Sequence, residues 1–123
     1  MFLYRSRGNL RLPSMYLSQK ITNYNRMSLR LKTIRKSHRS EKKYDAVFEK
    51  NGREKTISFG AAGMSDYTKH KNSTRKQRYI KRHSGMGENW RKPDTAGALS
   101  RWILWNKPSF RESVADYKRR FGF

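Results

Sequence analysis

Seven Lys and Arg side chains lie between Tyr67 and Gly87, in a stretch that contains no Asp or Glu. They are Lys69, Lys71, Arg75, Lys76, Arg78, Lys81 and Arg82. Helical i,i+3/i+4 spacing, which aligns side chains in one row, runs through Lys71, Arg75, Arg78 and Arg82. Such a row can follow a nucleic-acid backbone without reading its bases. The spacing predicts a phosphate-binding surface; the competing interpretation is a solvated helix face or a protein contact.

A second acid-free segment extends from Met1 to Ser40 and carries ten Lys/Arg residues, among them Arg35, Lys36 and Arg39. The whole chain has a net charge of +21 over 123 residues. Charge of one sign destabilises a compact state by self-repulsion, so a polyanionic partner is the simplest explanation for it. We predict that the partner is nucleic acid, with DNA preferred over RNA.

Catalysis has little support in the sequence. A nuclease needs carboxylates that converge on a metal ion, or a histidine base with an orienting group, and no two acids have such a spacing. His83 with Asn89 resembles a fragment of a His-Asn-His nuclease site, but such a fragment often arises by chance, and a histidine favoured at the negative end of a helix dipole is the preferred explanation of His83. We therefore expect a protein that is not an enzyme and has no catalytic residues. A metal-dependent nuclease acting through His83 and Asp66 is the minor alternative.

The composition also argues against disulfides, metal sites and membrane spans. The chain has no cysteine, so disulfides and thiolate metal sites are excluded. Its three histidines have no acidic cluster beside them, and we expect neither a metal site nor a cofactor. No apolar run approaches the roughly 20 residues that span a bilayer, so we expect no membrane span. The Arg-rich, acid-free N-terminus is also typical of a mitochondrial transit peptide.

Tryptophan offers a further way to contact nucleic acid, because unpaired bases stack on aromatic rings. Trp102 and Trp105 lie on an apolar helical stripe with Leu99, which indicates core packing instead. Trp90, flanked by polar residues in a predicted loop, is the one tryptophan for which a contact role stays open.

The first element that could position these side chains is a β-hairpin. Two apolar segments, Tyr44–Phe48 and Thr56–Phe59, flank the pair Asn51-Gly52, which suits a type I′ turn because both residues accept positive φ. A two-residue loop fixes the register. The opposed pairs are then Tyr44 and Phe59, Ala46 and Ile57, Phe48 and Lys55, and Glu49 and Glu54.

Three helices are predicted after the hairpin. The first runs over residues 73–83, with Ser73 as N-cap and Gly85 as a left-handed terminator. The second begins at Asp94 or Thr95 and ends before Pro108. The third opens with the capping box of Ser109 and Glu112, presents Phe110, Val114, Tyr117 and Phe121 on one face, and ends at Gly122.

The predicted fold class is therefore α+β. One antiparallel β-hairpin packs with two or three short helices in a small single domain over residues 41–123, preceded by a flexible basic arm over residues 1–40. Residues 27–36 alternate apolar and polar side chains, and we expect them to form a strand only when docked on a partner.

Four runs of sequence, in order, resemble a family of small, basic, functionally unassigned proteins of large DNA viruses that infect algae and amoebae. The runs are Phe59–Lys71, Arg75–His83, Glu88–Trp90 and Thr95–Pro108. The resemblance covers about residues 43–121 and does not extend into residues 1–26. At residues 84–87 this chain has Ser-Gly-Met-Gly where the family often has a Lys-rich connector. The resemblance implies a setting in the virion or in a viral factory in the host cytoplasm, and no assigned activity.

These observations lead to one leading hypothesis and one alternative. The leading hypothesis is a virion-associated protein that binds nucleic acid through phosphate contacts with little sequence specificity. Its predicted contacts are the seven cations of residues 67–87 together with Arg35, Lys36 and Arg39. The alternative is a minor capsid or cement protein whose basic arm docks on acidic capsid or membrane-proximal protein surfaces.

Overall fold

The sheet has three antiparallel strands, β1 (Leu29–Lys36), β2 (Lys42–Lys50) and β3 (Arg53–Ala61), in the order β1-β2-β3. The structure is a computed structural model that describes residues 29–123. Strands β2 and β3 form the predicted hairpin, and all four predicted residue pairs are confirmed. Asn51 and Gly52 have φ values of 54° and 80°, as a type I′ turn requires.

The prediction of a flexible basic arm over residues 1–40 is wrong for its last part, because β1 (Leu29–Lys36) pairs with β2 along its length. A bulge shifts the register between Leu31 and Thr33. The extra residue keeps Leu31 and Ile34 on the same face of the sheet, where both pack against the core. The strand thus belongs to the folded unit without a docking partner. Residues 1–28, the rest of the predicted arm, lie outside the described residues.

The helices are α1 (Tyr67–His70), α2 (Ser73–Ser84), α3 (Ala96–Leu99), a π-helical turn (Ser100–Leu104) that continues α3, and α4 (Phe110–Phe121). None of those within residues 29–123 is long and apolar enough to cross a membrane. The α+β class is therefore confirmed, with one strand and one short helix more than the sequence predicted.

Two predicted helix boundaries were wrong. The N-cap of α2 is Asn72, whose side-chain oxygen accepts a hydrogen bond from the Arg75 backbone N–H at 3.1 Å, and not Ser73. The cap moves because Lys71, with φ 53°, ends α1 in the left-handed region and leaves Asn72 extended. At the other end Gly85 has a right-handed φ of −87°, so it is not the left-handed terminator that we expected.

The second predicted helix has Thr95, one of its two predicted starting residues, as its N-cap, but its last turn is a π-helix. The Trp105 N–H donates to the Ser100 carbonyl, five residues back, at 3.0 Å. Leu99, Ile103 and Leu104 are buried in the main core cluster beneath the sheet. Helix α4 matches its prediction: Ser109 caps it, Gly122 ends it with φ 78°, and the four predicted apolar residues pack against the core.

One carboxylate is buried on the sheet face opposite the core. Asp45 is 0% exposed and accepts hydrogen bonds from the Ser37 hydroxyl (2.6 Å), the Ser58 hydroxyl (2.7 Å) and the His38 backbone N–H (3.1 Å). Its other side-chain contact is with the His38 ring. Burial by itself would raise the pKa of Asp45, but these hydrogen bonds outweigh burial and hold that pKa well below its ordinary value.

This network predicts acid sensitivity. A carboxylate whose pKa is lower in the folded state stabilises the protein fully above its unfolded pKa of about 3.9, and the stabilisation is lost as the pH falls below that value. We expect the free energy of unfolding of the wild type to exceed that of Asp45→Asn at pH 7, and the difference to narrow between pH 5 and pH 3. Urea unfolding of both proteins across this range measures it. A constant difference would contradict the role given to Asp45.

Candidate nucleic-acid interface

The outward face of α2 carries a row of cations. Arg75, Arg78, Lys81 and Arg82 are exposed, and among residues 29–123 none of them has a carboxylate oxygen within 4.0 Å. Three of the four residues in the predicted row therefore lie on one helix as expected. Arg75, Arg78, Lys81 and Arg82 are called the α2 row below.

Lys71 is not part of this row. It ends α1 in the left-handed region, before α2 begins, and its Nζ donates to the Thr68 carbonyl at 3.0 Å. Its i,i+4 spacing to Arg75 is therefore not helical. The predicted row is wrong at this position because the chain turns between α1 and α2.

Lys76 also departs from the prediction, since it lies on the inward side of α2. Its Nζ is 4.9 Å from the centre of the Tyr67 ring, a cation–π contact. Burial, together with the nearby charges of Arg101 and Lys107, lowers the pKa of Lys76. Lys76 is half-buried. It therefore contributes to the packing of α2 and is not part of the exposed cationic surface.

A stack of aromatic and imidazole rings holds α2 against the rest of the domain, and sequence reasoning missed it. Tyr79 lies parallel to Trp105, with ring centres 4.4 Å apart and planes at 5°. The His83 ring stacks on the other side of Tyr79 at 4.2 Å, and His70 contacts Trp105 at 5.3 Å. The prediction that Trp105 is a packing residue is confirmed. The α2 row is thus presented on a helix whose inner face is fixed by ring stacking.

A buried ion pair holds α1 to the sheet. Asp66, 1% exposed, is the N-cap of α1 and accepts from the Thr68 backbone N–H at 2.9 Å and from the Thr68 hydroxyl. Its second oxygen pairs with Nζ of Lys43 on β2. The pair fixes the position of Lys69 on α1 relative to the cations of the sheet.

The larger of two neighbouring clefts has a volume of about 690 Å³, and all of its charged lining residues are cationic. Its cationic lining residues are Lys36, Arg39, Lys42, Lys43 and Lys69, and no carboxylate lines it. We call it the basic cleft. It brings Lys36 and Arg39 from the first acid-free segment together with Lys69 from the second. Lys42 was not predicted, and its only sequence signal was its charge.

Two of the predicted contacts near this cleft have other surroundings. Arg35 pairs in register with Asp45, whereas Lys36 pairs with Tyr44, so Arg35 lies on the opposite face of the sheet and does not line the cleft. Arg39 forms an exposed ion pair with Glu41 at 2.6 Å. Solvent screens an exposed pair of this kind, so it competes weakly with a phosphate.

The second cleft, of about 360 Å³, adjoins the basic cleft, and the two have Lys42, Lys43, Met64 and Ser65 in common. We call it the small cleft. Arg82, from the α2 row, lines it together with His83 and Glu88. Cationic surface therefore continues from Lys36, past Lys42, to α2.

Comparison with known proteins adds one finding. Residues 32–83, from β1 to α2, match the model of a family of unknown function (DUF5754). The matched segment contains every predicted contact residue and both walls of the basic cleft. No curated protein matches the chain, and no solved structure matches it.

The predicted candidates for catalysis, His83 and Asp66, both line the small cleft, but each is paired with a different side chain. Asp66 is committed to Lys43 and to the α1 cap, while His83 Nδ1 contacts Glu88 at 2.8 Å. Within the part of the chain that the structure describes, no three His, Asp or Glu side chains are grouped to hold a metal ion.

Proposed function

We propose that this protein binds nucleic acid through phosphate contacts, with little sequence specificity and without catalysis. The observation that carries the proposal is the basic cleft, whose charged lining residues are all cationic and where Lys36, Lys42 and Lys69 have no ion pair within residues 29–123. A cleft lined by charges of one sign concentrates the field of those charges and attracts ligands of the opposite sign. Nucleic acid is the abundant polyanion that fits such a site.

The α2 row extends this surface. Lys36, Lys42 and Lys69 contact one stretch of the phosphate backbone in the basic cleft, and Arg82 connects that stretch to the exposed helix. Contacts to phosphate fix the register of a strand but carry no base information. Binding is therefore general, and it depends on the release of counterions from the nucleic acid.

The biological setting is part of the proposal. The resemblance to small basic proteins of large DNA viruses supports the virion or the viral factory as the location, and DNA as the preferred partner. In that setting a general phosphate binder with a net charge of +21 neutralises part of a packaged genome.

Met64 favours the alternative, a minor capsid or cement protein. Its side chain is 67% exposed and lies where the two clefts meet. An apolar side chain inside a basic surface suits a protein partner that supplies both carboxylates and an apolar contact. A fixed, symmetric position beneath the shell in an in-virion map supports this alternative, whereas a diffuse nucleoid position supports genome binding.

The proposal is tested by measuring the affinity of the full chain for duplex DNA, single-stranded DNA and RNA over a salt series. With about six phosphate contacts, the plot of log affinity against log salt has an expected slope near −5 on duplex DNA. Absence of binding at about 50 mM salt, or affinity that does not change with salt, would reject the proposal.

A further inference from the structure

We propose that the small cleft binds a phosphate monoester carried on a nucleoside, either a free mononucleotide or the 5′-terminal nucleotide of a strand. The strand-end form rests on the proposed function, and the mononucleotide form does not. At about 360 Å³ the cleft is at the small end of the range for ligand sites, about 300–1,000 Å³. It has room for one nucleotide unit.

His83 is the best-oriented side chain in this cleft. Its Nδ1 is 2.8 Å from Glu88 Oε2, its ring stacks on Tyr79, and its side chain is 24% exposed. Glu88 is held in turn, because Trp90 Nε1 donates to its Oε1 at 2.8 Å. Nε2 of His83 makes no hydrogen bond with residues 29–123. A protonated imidazole donates hydrogen bonds from both nitrogens. Nε2 can then donate to a phosphate oxygen while Nδ1 keeps its hydrogen bond to Glu88.

Gly97 keeps this arrangement compact. A Cβ at position 97 would lie 3.1 Å from Glu88 Oε1, closer than an ordinary van der Waals contact. Because glycine has no Cβ, α3 approaches Glu88 and the carboxylate stays beside both Trp90 and His83. A hydrogen bond from one imidazole nitrogen to a fixed carboxylate orients the ring and leaves the other nitrogen for a ligand.

Two further cations face the same space. Arg82 is exposed on α2, Lys42 lies on β2, and neither has a carboxylate within 4.0 Å among the described residues. The other charged lining residues, Lys43 with Asp66 and His83 with Glu88, are paired with each other. The charges available to a ligand are therefore positive. A phosphate monoester carries more negative charge than a diester, so it suits a site with several free donors.

The remaining wall of the cleft is apolar and aromatic. Its exposed part is formed by Met64 and Ala96 beside the half-buried Trp105, whereas Phe59, Leu104 and Tyr79, which also line it, are almost fully buried. Phosphate alone would leave the exposed part without a partner, whereas a nucleoside places its base or sugar against it. Ligand sites commonly combine an apolar lining with a few oriented polar groups, and that combination selects the nucleotide over inorganic phosphate.

The test is calorimetric titration of the full chain with AMP, inorganic phosphate and adenosine, separately. We expect AMP to bind at least about 10-fold more tightly than either fragment, and Arg82→Gln to weaken AMP binding about 10-fold, as expected for loss of a hydrogen bond to a charged group. His83→Gln should have a similar effect. Arg91→Gln, an exposed cation outside both clefts, is the matched control and should leave AMP binding unchanged.

A second arm separates the two sources of the ligand. The same oligonucleotide is compared with a 5′-phosphate and with a 5′-hydroxyl, and about 10-fold tighter binding of the phosphorylated form identifies the strand end. Loss of AMP binding equally in Arg91→Gln and Arg82→Gln would overturn the inference, as would absence of both AMP binding and end preference. Salt-dependent oligonucleotide binding, without AMP binding and without a preference for the 5′-phosphate, would reject this inference and leave the proposed function standing. AMP binding without oligonucleotide binding would reject only the proposed function.

Discussion

Charge reversal at Lys36, Lys42 and Lys69 is expected to lower the affinity for duplex DNA about 10²-fold at moderate salt, because three phosphate contacts are lost together. Each contact contributes about 0.9 to the salt slope, so the slope of the triple Lys→Glu variant should be shallower by about 3. Fluorescence anisotropy over a salt series measures both quantities. The lysines carry no side-chain ion pair within residues 29–123, and two of them are exposed, so the fold should tolerate the change.

The matched control reverses Lys50, Arg53 and Arg111 to glutamate. All three are exposed and lie outside both clefts, and the change in net charge is the same. We expect this control to retain most of the affinity and a slope close to that of the wild type. Equal losses in the two triple variants would show that net charge, and not the basic cleft, determines binding.

Asp66→Ala is expected to lower the free energy of unfolding by about 3 kcal/mol, because it leaves the Lys43 side chain, which is only 12% exposed, without its partner. The same substitution removes the cap of α1, typically worth about 1 kcal/mol. The total free energy of unfolding of a native protein is about 5–15 kcal/mol, so this loss is a large part of the stability of the domain. Urea unfolding followed by circular dichroism provides the measurement.

Two controls assign that loss to the buried pair. Thr68→Ala removes only the hydroxyl that donates a hydrogen bond to Asp66, and it should lower the free energy of unfolding by about 1 kcal/mol. The double variant Asp66→Ala/Lys43→Met removes both charges and should recover part of the stability, since it leaves no charge without a partner. A cost below about 1 kcal/mol for Asp66→Ala would contradict the role assigned to the pair.

The parts of the fold that were predictable have local causes. The hairpin follows from Asn51-Gly52 and the alternation on either side of it, and α4 follows from its Ser109 cap and its apolar spacing. Strand β1 was not predictable as a stable element, because its pairing with β2 is non-local and the bulge after Leu31 interrupts the alternation. The π-helical turn has no comparable signal, since it depends on packing beneath the sheet.

In the candidate site, too, features with a local cause were predictable, whereas features that join distant parts of the chain were not. The charge of the α2 row could be read from spacing, but the inward turn of Lys76 depends on Tyr67, which precedes the helix. Trp105 was recognised as a packing residue from its apolar stripe, whereas its stacking on Tyr79 joins residues far apart in the chain. Lys42 could not be selected from sequence, because only the folded sheet places it beside Lys36 and Lys69.

Phosphate binding in the basic cleft and along the α2 row can be mapped residue by residue with ¹H–¹⁵N NMR while the full chain is titrated with a short oligonucleotide. We expect the largest amide shifts in residues 36–43, 63–69 and 75–82, and we expect them to shrink with added salt. Largest shifts in the hairpin turn around residues 50–54 and on the exposed face of α4, with the cleft unaffected, would contradict phosphate binding at these surfaces.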